Sequence, residues 1–349
     1  MISYLSLSVF NTPLSSALLP TARNSSSFFD DMWQKFGVMF AGLLIFLAVI
    51  GLILFLADHA PKRGRDYVQM FVFVAPALIL LGVGLIYPAI RTMMQSFTNA
   101  QGDFIGLENF VWIFTDSGSL ISLRNTVVWV ILVPLLSTVF GLAYAVFIDK
   151  SRGEKVLKSL VFMPMAISFV GAGIIWSFMY AYRSKGFEQT GLLNQLLVWS
   201  GLEPIQFLNS APLNTFFLIV VLVWIQTGFA MVVLSASIKA IPVEQVEAAV
   251  LDGANGWQVF TNVTLPSIRG SLVVVVTTIT IATLKVFDIV KTMTSGNNDT
   301  SVVALDMYNQ AFRFNEWGHG AALAVVIFVL VLPIVIYNVR VLRKQREIR

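Results

Sequence analysis

Seven stretches of this chain are apolar for about 20 residues or more, long enough for a helix to cross the hydrocarbon core of a bilayer, and nothing else in the sequence limits the possible folds so severely. They fall near residues 37–57, 68–90, 126–148, 159–182, 214–238, 271–290 and 318–339. A backbone in lipid has to satisfy its own hydrogen bonds, so continuous apolar runs of this length predict helices. Apolar residues make up 57% of the chain and charged residues only 12%, which is the balance of an integral membrane protein and excludes an ordinary soluble domain. The expected fold is all-α, with about seven transmembrane helices.

Lys and Arg orient these spans, because they collect on the cytoplasmic side. One set of connecting segments holds Lys62, Arg63 and Arg65, then Lys150, Arg152, Lys155 and Lys158, then Lys239 and Arg269, and finally Arg340, Arg343, Lys344, Arg346 and Arg349, a total of 14. The alternate set holds Arg23, Lys35, Arg91, Arg124, Arg183, Lys185, Lys291 and Arg313, a total of 8, and Lys285 falls inside a span. The bias places the segment after the fifth span and the C-terminus inside, and with seven spans the N-terminus outside. The net charge of +4 follows from this rule and from attraction to anionic lipid, so no nucleic-acid partner is required.

Residues 1–36 do not read as a cleaved signal peptide. No Lys or Arg precedes Arg23, and Asn11 and Pro13 interrupt the apolar run. An extracytoplasmic tail is expected there, poorly ordered around Ser25 to Ser27. The chain has no cysteine, and its two histidines, His59 and His319, lie at segment ends. Disulfide, thiol and clustered metal chemistry are therefore set aside, and no metal ligands or catalytic residues are expected.

The polar segment 241–270 lies between the fifth and sixth spans. Pro242 suits a first helical turn, where no amide proton is needed, and Glu244 and Glu247 sit where the helix dipole favours carboxylates. Gly253 supplies a stop. Val243, Val246, Ala249 or Val250, and Gly253 form an apolar stripe at helical spacing, and small Ala248 and Ala249 permit close approach. A second short helix is expected from Asn255 to Asn262, with Trp257 and Phe260 on one side, before Leu265-Pro266 turns the chain back to the bilayer. Read from its residues alone, such a loop either lies on lipid headgroups or docks on a partner.

The spacing of Glu247-Ala248-Ala249, Asp252-Gly253-Ala254 and Val263-Thr264-Leu265-Pro266 resembles the cytoplasmic EAA loop of the permease subunits of bacterial ATP-binding-cassette importers, with Val263 in place of an isoleucine. Other residues continue the resemblance to carbohydrate permeases. They are Ala75-Pro76-Ala77, Tyr87-Pro88, Ser96-Phe97, Gly106-Leu107-Glu108-Asn109-Phe110, Asn125-Thr126, Phe162-Met163-Pro164, Trp176, the Trp224 segment, Phe287-Asp288-Ile289-Val290 and Met293-Thr294 with Gly296. Asn297-Asn298-Asp299-Thr300 departs from the Gly-Gly-Pro run of many sugar permeases. Within the family, the set looks most like permeases for α-glucosides and related oligosaccharides.

The resemblance implies a type I importer permease. Six helices would form its core over 68–340, most typical over 122–338, with an EAA coupling loop at 241–270. The first span, 37–57, would be accessory, and 341–349 a basic cytoplasmic tail. It also implies that Glu247, Ala248, Ala249, Asp252, Gly253, Leu265 and Pro266 couple the chain to an ATPase. The implied partners are a second permease subunit, two ATP-binding-cassette ATPase subunits, an extracytoplasmic sugar-binding protein and membrane lipid, in a bacterial plasma membrane. The chain itself would bind no cofactor, with ATP and Mg on the ATPase.

Ionisable groups argue in the same direction. Proton- or ion-coupled transport usually needs them inside the membrane, and the seven spans contain only Lys285 and Asp288, three apart and able to pair on one helix. Gly-Lys never occurs as a dipeptide, so the phosphate-cradling lysine of a P-loop has no candidate and the chain is not expected to hydrolyse ATP.

A neutral polyhydroxy solute asks for aromatic faces and scattered donors and acceptors without fixed charge. The fifth span offers Trp224, Gln226, Thr227, Gly228 and Phe229, and the sixth Thr277, Thr278, Thr280 and Thr283. By position along the family's motifs, Ile225, Gln226, Phe229, Ala282, Thr283 and Val286 are the solute-path candidates. Each has a structural alternative. Trp176 and Trp224 suit packing or interface anchoring, and threonines in membrane helices commonly bond their own backbone. The Gln226 amide needs either solute or a helix partner. Pro76, Pro88, Pro134, Pro164 and Pro333 read as kinks, and Pro164 with Gly171 and Gly173 as a gating bend. Two rivals stay open: the same architecture for another small solute such as glycerol phosphate, and a seven-helix receptor or sensor.

Overall fold

The computed structural model describes residues 25–58, 65–148, 151 and 153–347. The expectations resting on residues 1–24, on His59, Lys62 and Arg63, on Lys150 and Arg152, and on Arg349 lie outside the described residues. Among the described residues the backbone is helical apart from turns and one isolated bridge, Thr98 with Phe104. Five helices are long and apolar enough to cross a membrane, and two sharply bent pairs raise the count to seven. The all-α membrane architecture expected from the apolar runs is thus what the chain adopts.

The chain divides into two compact units, Met1–Tyr87 and Pro88–Arg349. In the first, α1 (Ser25–Asp58) and α2 (Arg65–Leu81) are joined by a hydrogen bond from the Gln69 side chain to the Ala57 carbonyl, 3.1 Å long. Helix α1 begins at Ser25, where poor order was expected. Most of its large apolar side chains from Trp33 to Phe55 are exposed, the surface a lipid-facing helix presents. A π turn over Gly82–Ile86 leads from α2 into α3 (Tyr87–Gln95).

The second unit contains α4 (Glu108–Thr115), α5 (Ser117–Ile148), α6 (Glu154–Phe162), α7 (Phe169–Met179), α8 (Leu192–Trp199) and α9 (Leu213–Lys239). Beyond them come α10 (Val243–Leu251), α11 (Gly256–Val259), α12 (Leu265–Ser267), α13 (Arg269–Leu284), α14 (Asp288–Met293), α15 (Val303–Tyr308) and α16 (Trp317–Glu347). Its core is the packing of α5 on α9, which buries Trp129, Val133 and Ala145 together with Leu218, Ile225, Ala230 and Met231. A Cβ on Gly141 would lie only 2.4 Å from the Ala230 Cβ, so the missing side chain is what lets the two backbones meet. Between helices already in lipid, such close approach supplies the dispersion contact that drives association.

Two expected spans are not single straight helices. The fourth, expected over 159–182, bends by 103° between Glu154–Ala166 and Phe169–Met179. Pro164 brings no amide proton, Ile167 and Ser168 are extended, and the Ser168 hydroxyl accepts from the Gly171 amide at 3.0 Å, so a new helix starts there. The sixth, expected over 271–290, ends at Leu284, and α14 begins at Asp288. Phe287 leaves helical geometry at φ −135°, placing its ring 5.1 Å from Tyr308, while α14 packs on α7 where Gly173 faces Thr292. Helices α2, α5 and α16 run on through Pro76, Pro134 and Pro333.

The break in the sixth span also undoes the expected Lys285–Asp288 pair. The two residues flank a helix end instead of sharing a face, and the ion pairs among the described residues do not join them. Lys285 is exposed and borders an apolar cavity of about 420 Å³ with Phe287, Met307 and Tyr308.

Contacts within the second unit sort its connections onto two ends. At one, Lys158 donates to Ser235 (2.5 Å) and Glu154 (2.6 Å), and Lys239 to Glu154 (2.5 Å), gathering the ends of α6 and α9 beside the segment that leads to α13. At the other, Asn125 donates to the carbonyls of Asp299 (2.6 Å) and Ser301 (2.8 Å), and Asn214 to that of Asn298 (2.6 Å). Asn109 donates there to the carbonyls of Ser96 (3.0 Å) and Thr98 (2.9 Å), close against Gly318. Segments expected on one side of the membrane by their charge therefore do share an end.

Candidate functional site

The segment between α9 and α13 is a helical hairpin built by local rules. Pro242 is extended (ψ 130°) and stands one residue before α10, not in its first turn, so its missing amide proton still costs nothing. At the far end Gly253 takes φ +85°, the left-handed region where a side chain is unfavourable. With it in place, Ala254 donates its amide to the Ala249 carbonyl (3.0 Å) and Gly253 to that of Val250 (3.0 Å), the paired closure that satisfies a helix C-terminus. Asn255 then opens the next helix with a reciprocal cap, accepting from the Gln258 amide (2.9 Å) while its own amide donates to the Gln258 side chain (2.8 Å). Trp257 and Phe260 lie on one side, rings 5.6 Å apart, as expected.

The second helix is longer than the expected Asn255 to Asn262. It runs on through a π turn over Phe260–Thr264 and through α12 to Ser267, then bends by 67° before α13. Leu265-Pro266 thus lies inside it, one turn ahead of the bend. The Pro266 nitrogen cannot complete the ladder of the preceding turn, a standard origin of a π turn and of a bend after it.

Helix α10 packs on this second helix, and along it Val246 and Ala249 are half-buried, while Val243, Val250 and Trp257 are exposed and Leu251 is 87% exposed. Glu247, Ala248 and Asp252 are exposed too. Only part of the expected apolar stripe is therefore internal. The rest is a cluster of large apolar side chains and two acids at the tip of a polar loop.

Helix α9 presents a stripe of half-exposed residues at Gln226, Phe229, Val233 and Ser237, with Ser237 bonded to Ser271 of α13 at 2.7 Å. The Gln226 amide makes no hydrogen bond among the described residues. On α13, Thr278 and Ala282 fall on one stripe that ends at Lys285. Ile225, Thr283 and Val286 are buried instead, and Thr277, Thr280 and Thr283 spend their hydroxyls on the carbonyls of Val273, Val276 and Ile279, each at 2.7 Å. Thr278, named with the other threonines of the span but not among the solute-path candidates, keeps a free and exposed hydroxyl among the described residues. Only its position on the opposite face from Thr283 could have marked it. Trp176 and Trp224 contact one another edge to face, centroids 5.7 Å apart, which favours their packing role.

Comparison with known proteins bears on the same segments. Residues 120–347 match the family described as binding-protein-dependent transport system inner membrane component. The chain is 48% identical over 280 residues to the alpha-glucoside transport system permease protein AglF of Rhizobium meliloti, covering 80% of this chain and 83% of that one. It is 45% identical over 278 residues to the osmoprotective compounds uptake permease protein GgtC of Synechocystis sp., covering 79% of this chain and 100% of that one. In fold it is similar to a chain of a bacterial ABC transporter involved in import of the acidic polysaccharide alginate, with TM-score 0.71, 24% identity, and coverage of 81% of this chain and 98% of that one.

Proposed function

We propose that this chain, which belongs to the family of binding-protein-dependent transport system inner membrane components, forms half of the translocation path of an ATP-driven importer for an α-glucoside or a similar small neutral oligosaccharide. The observation that carries the solute class is the Gln226 amide, half-exposed on α9 beside Phe229 and unspent by any partner among the described residues. An amide and an aromatic face offer hydrogen bonds and a C–H platform without fixed charge, which is what a sugar uses.

In this reading the hairpin 241–270 is the handle by which a separate ATPase moves the permease. Its exposed Val250, Leu251 and Trp257, beside Glu247 and Asp252, present the apolar anchors with a polar rim that a docking surface needs. Both helix ends are locally capped, so the hairpin transmits displacement as a unit to α9 and α13, the helices that carry the solute candidates. A second permease would supply the facing half of the path, and an extracytoplasmic binding protein would deliver solute at the end where Asn125 and Asn214 hold the 298–301 loop. The end that carries the hairpin would face the cytoplasm, as the 14-to-8 bias of Lys and Arg requires. ATP and Mg would be held by the ATPase, and residues 37–57 would be accessory to the 68–340 core.

The test is uptake of radiolabelled maltose and trehalose by cells with and without a chromosomal deletion of this chain, complemented by the wild-type sequence. Loss on deletion and return on complementation support the reading. Undiminished uptake of both sugars, together with loss of uptake of a phosphorylated polyol, would move it to an anionic solute. Exposed Lys285, free of Asp288, is the residue that would serve such a cargo.

A further inference from the structure

Resting on the importer reading above, we propose that the chain carries a second saccharide subsite, at the end of the second unit opposite the 241–270 hairpin. A cavity of about 320 Å³ lies there between the end of α7, the 206–209 segment before α9 and the 293–298 loop after α14. That volume is at the lower end of the range of about 300–1,000 Å³ found for small-molecule sites, enough for one sugar unit.

Three properties define what it takes. The lining contains no Asp, Glu, Lys, Arg or His, so neither an anion nor a cation is selected. Its base is aromatic and rigid: Tyr180 and Phe207 are buried with rings 5.0 Å apart, and the Tyr180 hydroxyl is spent on the Phe217 carbonyl at 3.0 Å. Its rim is made of hydrogen-bonding groups that the protein leaves unspent. Among the described residues, the Tyr182 hydroxyl and the side-chain amides of Gln206 and Asn297 make no hydrogen bond, whereas Ser177 and Thr294 use theirs on the protein. Aromatic carbon below and carboxamides and a phenol around it suit a pyranose, which presents apolar C–H faces and an equatorial belt of hydroxyls.

The loop wall is fixed in an uncommon backbone shape. Ser295, Asn298 and Asp299 all have φ between +54° and +59°. Left-handed backbone is uncommon for residues other than glycine, although Asn and Asp adopt it more readily than most, and it concentrates at binding sites. Here Asn214 holds the Asn298 carbonyl, Asn125 holds that of Asp299, and the Asn298 side chain reaches Asn209 at 3.1 Å to join the two walls. A cavity kept open by buried side chains from two long helices is preorganised for a ligand.

The experiment compares wild type, Gln206→Leu/Asn297→Leu and Gln226→Leu as complete transporters in proteoliposomes. It measures the kinetics of maltose and of trehalose uptake and, separately, affinity for the purified binding protein. The proposal expects the double variant to raise the KM for uptake about tenfold with kcat, basal ATP turnover and binding-protein affinity unchanged, the loss of two good hydrogen bonds. Uptake by the double variant identical to wild type would overturn the subsite and leave the importer reading intact. So would a defect traced wholly to weaker binding-protein affinity, which would make the cavity a protein contact. If wild type carries neither maltose nor trehalose, the importer-of-sugars reading fails and the subsite fails with it.

Discussion

The Ala254 amide donates to the Ala249 carbonyl at 3.0 Å across Gly253, locking the turn between the two helices of the 241–270 hairpin. The bond exists because Gly253 sits at φ +85°, and no neighbour lies within 4 Å of where its side chain would be. The demand for glycine is therefore conformational and not steric. A branched residue there costs roughly 1–3 kcal/mol of local stability. Gly253→Val is expected to leave membrane insertion intact and to lower solute-stimulated ATP turnover of the complex about tenfold or more. Gly253→Asn, which tolerates this conformation, should retain most of it. Equal turnover in both variants and wild type would refute the argument.

Gly141 makes the opposite demand. Its missing Cβ leaves room for Ala230 at a separation that no real side chain allows, so Gly141→Val should push α5 from α9. Overpacking of this kind costs roughly 1–3 kcal/mol or more. Gly51→Ala, with open space around it, is the control and should melt like wild type. Thermal unfolding of the detergent-solubilised chain compares the two.

Asn125 satisfies two loop carbonyls at once, and Asn125→Leu would strand both. Each of the two bonds is worth roughly 0.5–1.5 kcal/mol net. Hydrogen exchange and protease cleavage over residues 295–303 are expected to rise at least tenfold, with the α5–α9 core unchanged.

Asp306, outside the spans, gives a pH signature. It is buried, which pushes its carboxyl pKa up, although bonds from Gln310, Ser119 and Ser122 pull the other way, and the charge of Asp116 adds to the rise. With the folded value above the unfolded one, its stabilising contribution is complete below the ordinary carboxylate range and is lost as pH rises through the raised folded value. The wild-type melting temperature should therefore fall more steeply with rising pH across that window than that of Asp306→Asn. Parallel curves would show that the carboxyl does not titrate differently in the folded chain.

On the solute path, Gln226→Leu should raise the KM for uptake about tenfold while the chain still folds and assembles, because it removes polar contacts and little volume. Val233→Leu on the same stripe, a change within apolar chemistry, should have a smaller effect.

Much of this was legible in the sequence because it is local. Apolar runs of bilayer length, the Gly253 stop and the Asn255 helix start all follow from residues within a turn or two, whereas Pro242, expected in the first turn, stands extended just before it. What was not legible depends on contacts between distant residues. The bend after Pro164 needed the hydroxyl cap of Ser168, and the break after Leu284 is fixed by Phe287 on Tyr308 and by α14 against Gly173. Lys285 and Asp288 looked paired because a continuous helix was assumed. Asn109 and Asn125, noticed only as part of a resemblance, are stitches, the latter across 174 residues. On α13, periodicity alone could have separated exposed Thr278 from Thr283, whose hydroxyl is spent on its own helix.

The central claim is that the hairpin joins this permease to an ATPase, and co-purification tests it most directly. The tagged chain is solubilised from its host in mild detergent, and its partners are identified by mass spectrometry for wild type and for Glu247→Arg. The account predicts a second permease with both chains and an ATPase with wild type alone. An ATPase absent from wild type, or retained undiminished by Glu247→Arg, would contradict it.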